Sequence, residues 1–304
     1  MILELSKTRK KMSRMEKKEN IAGWMFISLN LIGYFLFKLI PILLAGVLSF
    51  AEWNIASDIS QIEFVGLENF MKMIRDEVFW ISVRNTLLYT FVMAPVAIFL
   101  SLIFAVILDK YVWGKGVLRL SFYLPNISSM VAVAIVWMIL FLPAYGPINN
   151  FLYTLGIDNP PKWLNGTSTA LISIIIVGIW QRIGYNIIIV LAGLQGISRS
   201  LYEAAEIDGA NAVQRFRYIT IPGLNNTLFF LTIMSIISSF QVFTPVKVMT
   251  QGGPGTSTSV LVYYIYKSAF QNNNIGYAST MAWVLFGLVF VATAARMLIS
   301  KKKD

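Results

Sequence analysis

Long apolar runs parted by short polar stretches set the pattern of this chain from residue 24 onward. Six runs reach spanning length: 24–50, 80–108, 119–142, 169–194, 223–246 and 276–299. About 20 apolar residues in a helix cover the ~30 Å hydrocarbon core of a bilayer. The pattern therefore predicts an all-α membrane protein with six transmembrane helices. Pro41, Pro95, Pro125 and Pro245 fall within or beside these runs. The backbone groups they free need neighbouring helices or water, which predicts a packed bundle rather than independent anchors.

Charge orients the bundle. The Lys and Arg residues fall mainly in the N-terminal tail, 109–119, 195–222 and the segment from Arg296 onward, which together hold 17 of the 25. The intervening stretches, 51–79, 143–168 and 247–275, hold only Lys72, Arg75, Lys162, Lys247 and Lys267. The positive-inside rule then predicts that both termini are cytoplasmic in a bacterial-type plasma membrane. Residues 1–20 read as a basic cytoplasmic tail and 21–304 as the transmembrane domain. A signal peptide is a poorer reading, because the first apolar run is far longer than an h-region and no small-residue cleavage site closes it. Trp24, Trp53, Trp80 and Trp113 read as interfacial anchors against membrane lipids, and Trp163 is placed to sit at the outer interface.

Composition excludes several classes. The chain is 57% hydrophobic and only 13% charged, with a mean hydropathy of +0.67; a soluble domain carries about 25% charged residues. The net charge of +10 flanks apolar runs rather than forming a stripe among aromatics, so no nucleic-acid partner is expected. Without Cys or His, disulfides, Cys/His metal sites and histidine-based triads are impossible. No pair of acids or other catalytic constellation sits within the six runs, which argues against a membrane enzyme. No Asp or Glu lies within them to relay protons, which disfavours a secondary transporter.

The segment from 195 to 222 carries more design than a linker needs. Ser200 and Glu203 have capping-box spacing. Leu201, Ala204, Ala205 and Asp208 share one helical face, whose two alanines leave a shallow surface for another protein. Gly209 ends or turns this helix, Asn211 to Tyr218 supply a second short one, and Pro222 leads into the fifth run.

These residues resemble the EAA loop of binding-protein-dependent ABC importer permeases. Glu203, Ala204, Ala205, Asp208, Gly209 and Ala210, followed by Ile221 and Pro222, are the matching positions. The resemblance implies the type I ABC importer permease fold, with the first short helix docked on a cytoplasmic ATPase. A purely local reading of Glu203 as a helix cap stands beside it. The implied partners are a second homologous permease, two ATPase subunits and an extracellular substrate-binding protein. ATP and Mg would belong to the ATPases: this chain has no GxxxxGK[ST] phosphate loop, and no cofactor of its own is expected.

The segments 64–76, 85–86, 123–125 and 250–270 are similar to the carbohydrate subgroup, the maltose-permease-like proteins. The last of them points to the larger permease subunit. The first outer loop here lacks that protein's large inserted domain, so contacts mapped to the insertion do not carry over. The cargo implied is a sugar or oligosaccharide; amino acids or polyamines would need only a changed cargo site. By the same resemblance, the substrate path comprises Gly178, Gln181, Arg182, Tyr185, Ser235, Ser238, Ser239 and Thr244. Gln181 with Tyr185, and Ser235 with Ser238 and Ser239, fall at helical spacings. Gln181, Tyr185 and Ser239 are expected to line a polar cavity that binds a neutral sugar, whose hydroxyls both donate and accept. The serines have a second reading as small residues that let helices approach.

Overall fold

Helix follows apolar run throughout the computed structural model, which describes residues 13–110 and 115–301. Trp113 and Lys302 to Lys303 lie outside the described residues, as does most of the basic tail. Helix α1 (Arg14–Tyr34) starts inside that tail, held by a reciprocal cap between Ser13 and Glu16. The boundary drawn at residue 20 thus falls within a helix. A π-turn at Phe35–Leu39 joins α1 to α2 (Ile40–Leu48). It sits just ahead of Pro41, which lacks an amide proton to continue an ordinary ladder.

A short antiparallel ladder, β1 (Ala51–Glu52) with β2 (Glu63–Phe64), and helix α3 (Glu68–Arg75) precede the long α4 (Glu77–Lys110). Asp76 caps α4 by accepting from the Val78 and Phe79 amides at 2.8 and 3.3 Å. Its other oxygen accepts from the hydroxyls of Tyr264 and, at 2.6 Å, Tyr277. Burial pushes the Asp76 carboxyl up, but the tyrosine hydroxyls and the two amides more than offset this and hold it below the ordinary carboxylate value.

Next come α5 (Lys115–Ile127), α6 (Met130–Leu140), α7 (Pro147–Thr154) and α8 (Ala170–Gln195). The polar connection contains α9 (Arg199–Ile207), α10 (Ala212–Arg215), a π-turn at Phe216–Thr220 and α11 (Ile221–Gly223). The chain ends with α12 (Asn225–Phe240), α13 (Thr244–Met249), α14 (Leu261–Tyr266) and α15 (Ile275–Lys301).

Two of the six expected spans are interrupted. In place of a continuous third span, α5 and α6 meet at 98°, turning at Ser128–Ser129. Pro125 removes one ladder hydrogen bond just before this turn. Five helical segments are long and apolar enough to cross a membrane, and the bent pair makes a sixth only if taken as one span. The fifth is itself divided: α12 stops at Phe240, and Pro245 opens α13 at its first turn.

Burial inverts the water-soluble pattern. Large apolar side chains such as Phe26, Phe37 and Phe91 are exposed, while Ser82, Ser101, Ser173, Asn186 and Ser235 are wholly buried. Small polar residues inside and apolar ones outside suit a bundle solvated by lipid. Helix α1 contributes no buried residue. The Trp163 ring stacks on Phe141 at 4.8 Å, and its indole N–H donates to Asn149 Oδ1 at 2.6 Å.

Candidate functional site

Helix α8 organises the site because three of its glycines admit three neighbours. A Cβ on Gly178 would lie 2.2 Å from the Tyr89 hydroxyl of α4. One on Gly184 would meet the Phe122 carbonyl of α5 at 1.8 Å, and one on Gly193 would meet the Thr227 hydroxyl of α12 at 2.5 Å. Closer than about 3 Å no real Cβ fits, so hydrogen at these positions sets the approach of α4, α5 and α12 to α8.

Between these helices lies a cavity of about 250 Å³. Of the eight residues expected on the substrate path, Gly178, Gln181, Arg182, Ser238 and Thr244 line it. Tyr185, Ser235 and Ser239 are not brought into that lining. Tyr185 packs into the apolar cluster that includes Phe122, because α5 presses against α8 at Gly184 and covers the face below Gln181. Its ring lies 4.7 Å from the Arg182 guanidinium carbon, a cation–π distance. The Ser239 hydroxyl donates back to the carbonyls of Ser235 and Ile236 at 2.7 and 3.0 Å. The Ser235 side chain is fully buried, its hydroxyl without a partner among the described residues.

The sequence reading missed Tyr89, Asn126 and Gln241, which also line the cavity. Their only signal was a polar group inside an apolar run. Both interrupted spans border the same space: Asn126 and Met130 flank the α5–α6 turn, and Gln241 to Thr244 form the α12–α13 break. Amide and hydroxyl groups there donate and accept alike. Arg182 supplies donors only; its Nε is buried and unpartnered among the described residues. No cluster of metal-ligating side chains occurs among the described residues.

The far end of α8 runs into the second candidate region. Helix α9 opens after Ser198, two residues earlier than the expected capping box requires. That box does not form: the Ser200 hydroxyl bonds to the Ser198 hydroxyl at 2.7 Å instead. Gly209 adopts φ +74°, and the amides of Gly209 and Ala210 close the last turn onto the carbonyls of Glu206 and Ala205. A reciprocal cap appears one helix later, between Asn211 and Gln214. An ion pair from Arg215 to Glu206 and a 2.9 Å bond between the Tyr202 and Thr220 hydroxyls tie α9 to the segment that follows.

This tied hairpin presents Glu203, Ala204, Asp208, Gly209 and Pro222 at its surface, with Ala205 and Ala210 half-buried. Leu201, Ile207, Val213 and Tyr218 are exposed beside them, Ile207 at 87%. A polar cleft of about 520 Å³, lined by Asp109, Arg199, Glu203, Glu206 and Arg215, separates α9 from the ends of α4 and α8.

The comparisons with known proteins follow the same geography. A family model described as the inner membrane component of binding-protein-dependent transport systems matches residues 86–303, from α4 to the end of α15. The probable ABC transporter permease protein YesP of Bacillus subtilis (strain 168) is 39% identical over 287 residues, 93% of this chain and 91% of that protein. The lactose transport system permease protein LacF of Rhizobium radiobacter is 34% identical over 296 residues, 96% of this chain and 98% of that one. Among solved structures, a bacterial ABC transporter involved in import of the acidic polysaccharide alginate has a chain with a TM-score of 0.79 at 22% identity, covering 95% of this chain and 99% of its own. That last likeness concerns the fold.

Proposed function

The chain belongs to the family of binding-protein-dependent transport inner membrane components, a multi-pass membrane subunit rather than an enzyme in itself, and from that premise we propose that it carries a sugar or oligosaccharide through an ABC importer. The near full-length similarity to a permease named for lactose supports the cargo class. So does a cavity lined by amide and hydroxyl groups, which match a polyol in both donors and acceptors.

One observation carries the mechanism: α8 is a single unbroken helix that lines the cavity at Gly178, Gln181 and Arg182 and ends three residues before α9. In this reading α9, with Glu203, Ala204, Ala205, Asp208, Gly209 and Ala210, docks on one of two ATPase subunits that hold ATP and Mg. Movement of α9 on ATP binding is passed along α8 to the cavity wall, and Pro222 fixes the return into α12. A second permease completes the passage, and an external binding protein delivers the cargo. The charge bias supports a cytoplasmic side for both termini and the α9 hairpin.

The test is uptake of labelled solutes by the chain reconstituted with its permease partner, ATPases and binding protein. Vanadate-sensitive sugar uptake that requires the binding protein is expected. Uptake driven by an ion gradient without ATP, or confined to amino acids or polyamines, would refute the proposal.

A further inference from the structure

A neutral polyol leaves the most costly group in the cavity unused. Arg182 sits near the middle of α8, within a span that contains no Asp or Glu. None of the segments bordering the cavity carries an acid between residues 78 and 108, 116 and 140, or 225 and 249. Among the described residues the one ion pair joins Arg215 to Glu206, away from this cavity. Among the described residues no acid offsets the charge of Arg182: the Tyr185 ring lies 4.7 Å away, and its Nε is without a hydrogen-bond partner. A charged side chain inside a span is expensive and normally faces a partner or a path. Arg182 faces the path.

From this we propose that the cavity is built for acidic saccharides, with the Arg182 guanidinium taking the carboxylate of a uronic-acid residue. The inference rests on the sugar reading above and specifies its cargo. A guanidinium offers five N–H donors in a planar fork that fits a carboxylate bidentately, and a partly desolvated site strengthens such charge-assisted bonds. The ring of Tyr185 holds the fork from one side. Gln181, Ser238, Thr244 and Gln241 are placed along the same lining to bond the sugar hydroxyls. A second cation, Lys247, stands one turn beyond Thr244 on α13, with its ammonium 4.7 Å from the Tyr266 ring.

The experiment uses the assembled transporter in proteoliposomes with its binding protein. Its probes are matched labelled trisaccharides: galacturonate, mannuronate and glucuronate oligomers, each beside its carboxyl-reduced neutral counterpart. The wild type is expected to favour at least one acidic member over its neutral match by tenfold or more. Arg182→Gln, normalised to complex yield, is expected to bring that ratio near one, and Arg182→Lys to lower it by less. Preference for the neutral member of every pair overturns the proposal while leaving the sugar reading intact. Equal loss of acidic and neutral uptake in Arg182→Gln also overturns it, because the arginine then serves as a structural ion, for instance against a carboxylate of the partner permease. If no saccharide is taken up by an intact complex, the sugar reading itself fails and this one with it. Should Arg182→Gln not assemble, the wild-type ratio and the lysine variant still decide the matter.

Discussion

Replacing Asn85 with alanine should release the loop at residues 256–259 from α4. The Asn85 amide nitrogen, on α4, lies 3.2, 3.2 and 2.9 Å from the carbonyls of Thr256, Ser257 and Ser259. Its two protons serve at most two of these at full strength. Beside it, Ser82 bonds the Ser259 hydroxyl at 2.8 Å, and Thr86 accepts the Leu261 amide at 2.9 Å. Each lost hydrogen bond costs about 0.5–1.5 kcal/mol net, and more where a buried acceptor is left bare. Two bonds with partly buried acceptors give roughly 2–4 kcal/mol for Asn85→Ala. At about 1.4 kcal/mol per factor of ten, local opening should increase roughly 30- to 700-fold. The assay is the labelling rate of a Val260→Cys reporter, whose position is fully buried in a chain without native cysteine. Asn85→Asp keeps the size but sets carboxylate oxygens against three carbonyls, and should open the loop further. Labelling no faster in Asn85→Ala than in the reporter alone would refute the reasoning, as would a native rate in Asn85→Asp.

Four further outcomes are expected. Gly184→Ala forces α5 away from α8, since its Cβ would meet backbone rather than a movable side chain; a cost near the upper end of about 1–3 kcal/mol should lower the melting temperature in detergent, and an unchanged melt would contradict the packing. Gly209→Val places a branched residue at φ +74° with no atom within 4 Å of the new Cβ, so about 1–2 kcal/mol of backbone strain should distort α9 and abolish ATPase stimulation without blocking membrane insertion; normal uptake and stimulation would count against the coupling role. Because the Asp76 carboxyl is held below its ordinary value, its contribution to stability is fully present above that value and lost as pH falls through the lowered one; melting of the wild type minus Asp76→Asn should be flat at neutral pH and shrink only in acid, and a difference that shrinks between pH 6 and 8 would exclude this origin. A cysteine at Asn165 should react with an impermeant reagent in intact cells; reaction only after permeabilisation would invert the topology.

How much of this was legible in the sequence depends on the kind of information each feature needs. Span positions follow from hydropathy and length alone, so the runs at 80–108, 169–194 and 276–299 correspond closely to α4, α8 and α15. The α9 hairpin was legible because Gly209 and the alanines leave local marks. The breaks at Ser128–Ser129 and Gln241–Phe243 were not, because a sum over residues does not register direction. Pro125 and Pro245 marked their neighbourhoods without saying whether the helix would kink or stop. Within the cavity, spacing put Gln181 and Tyr185 on one face, but which part of that face stays open depends on where α5 crosses it. That crossing is fixed by the absent side chain of Gly184, which only the folded arrangement reveals. The cap at Ser200 failed for a local reason: Ser198 reached the cap position first.

The two breaks carry a mechanical consequence. Bending a continuous helix means stretching ladder hydrogen bonds, so an unbroken rod such as α8 transmits displacement with little deformation. At the α5–α6 turn and the α12–α13 break the ladder is already interrupted, and the pieces on either side are joined by a few backbone torsions. The bundle thus combines a stiff element with two compliant joints, and all three border the same 250 Å³ of space. Under the proposed coupling, work delivered along α8 would meet least resistance at those joints, so strain would concentrate around whatever occupies the cavity.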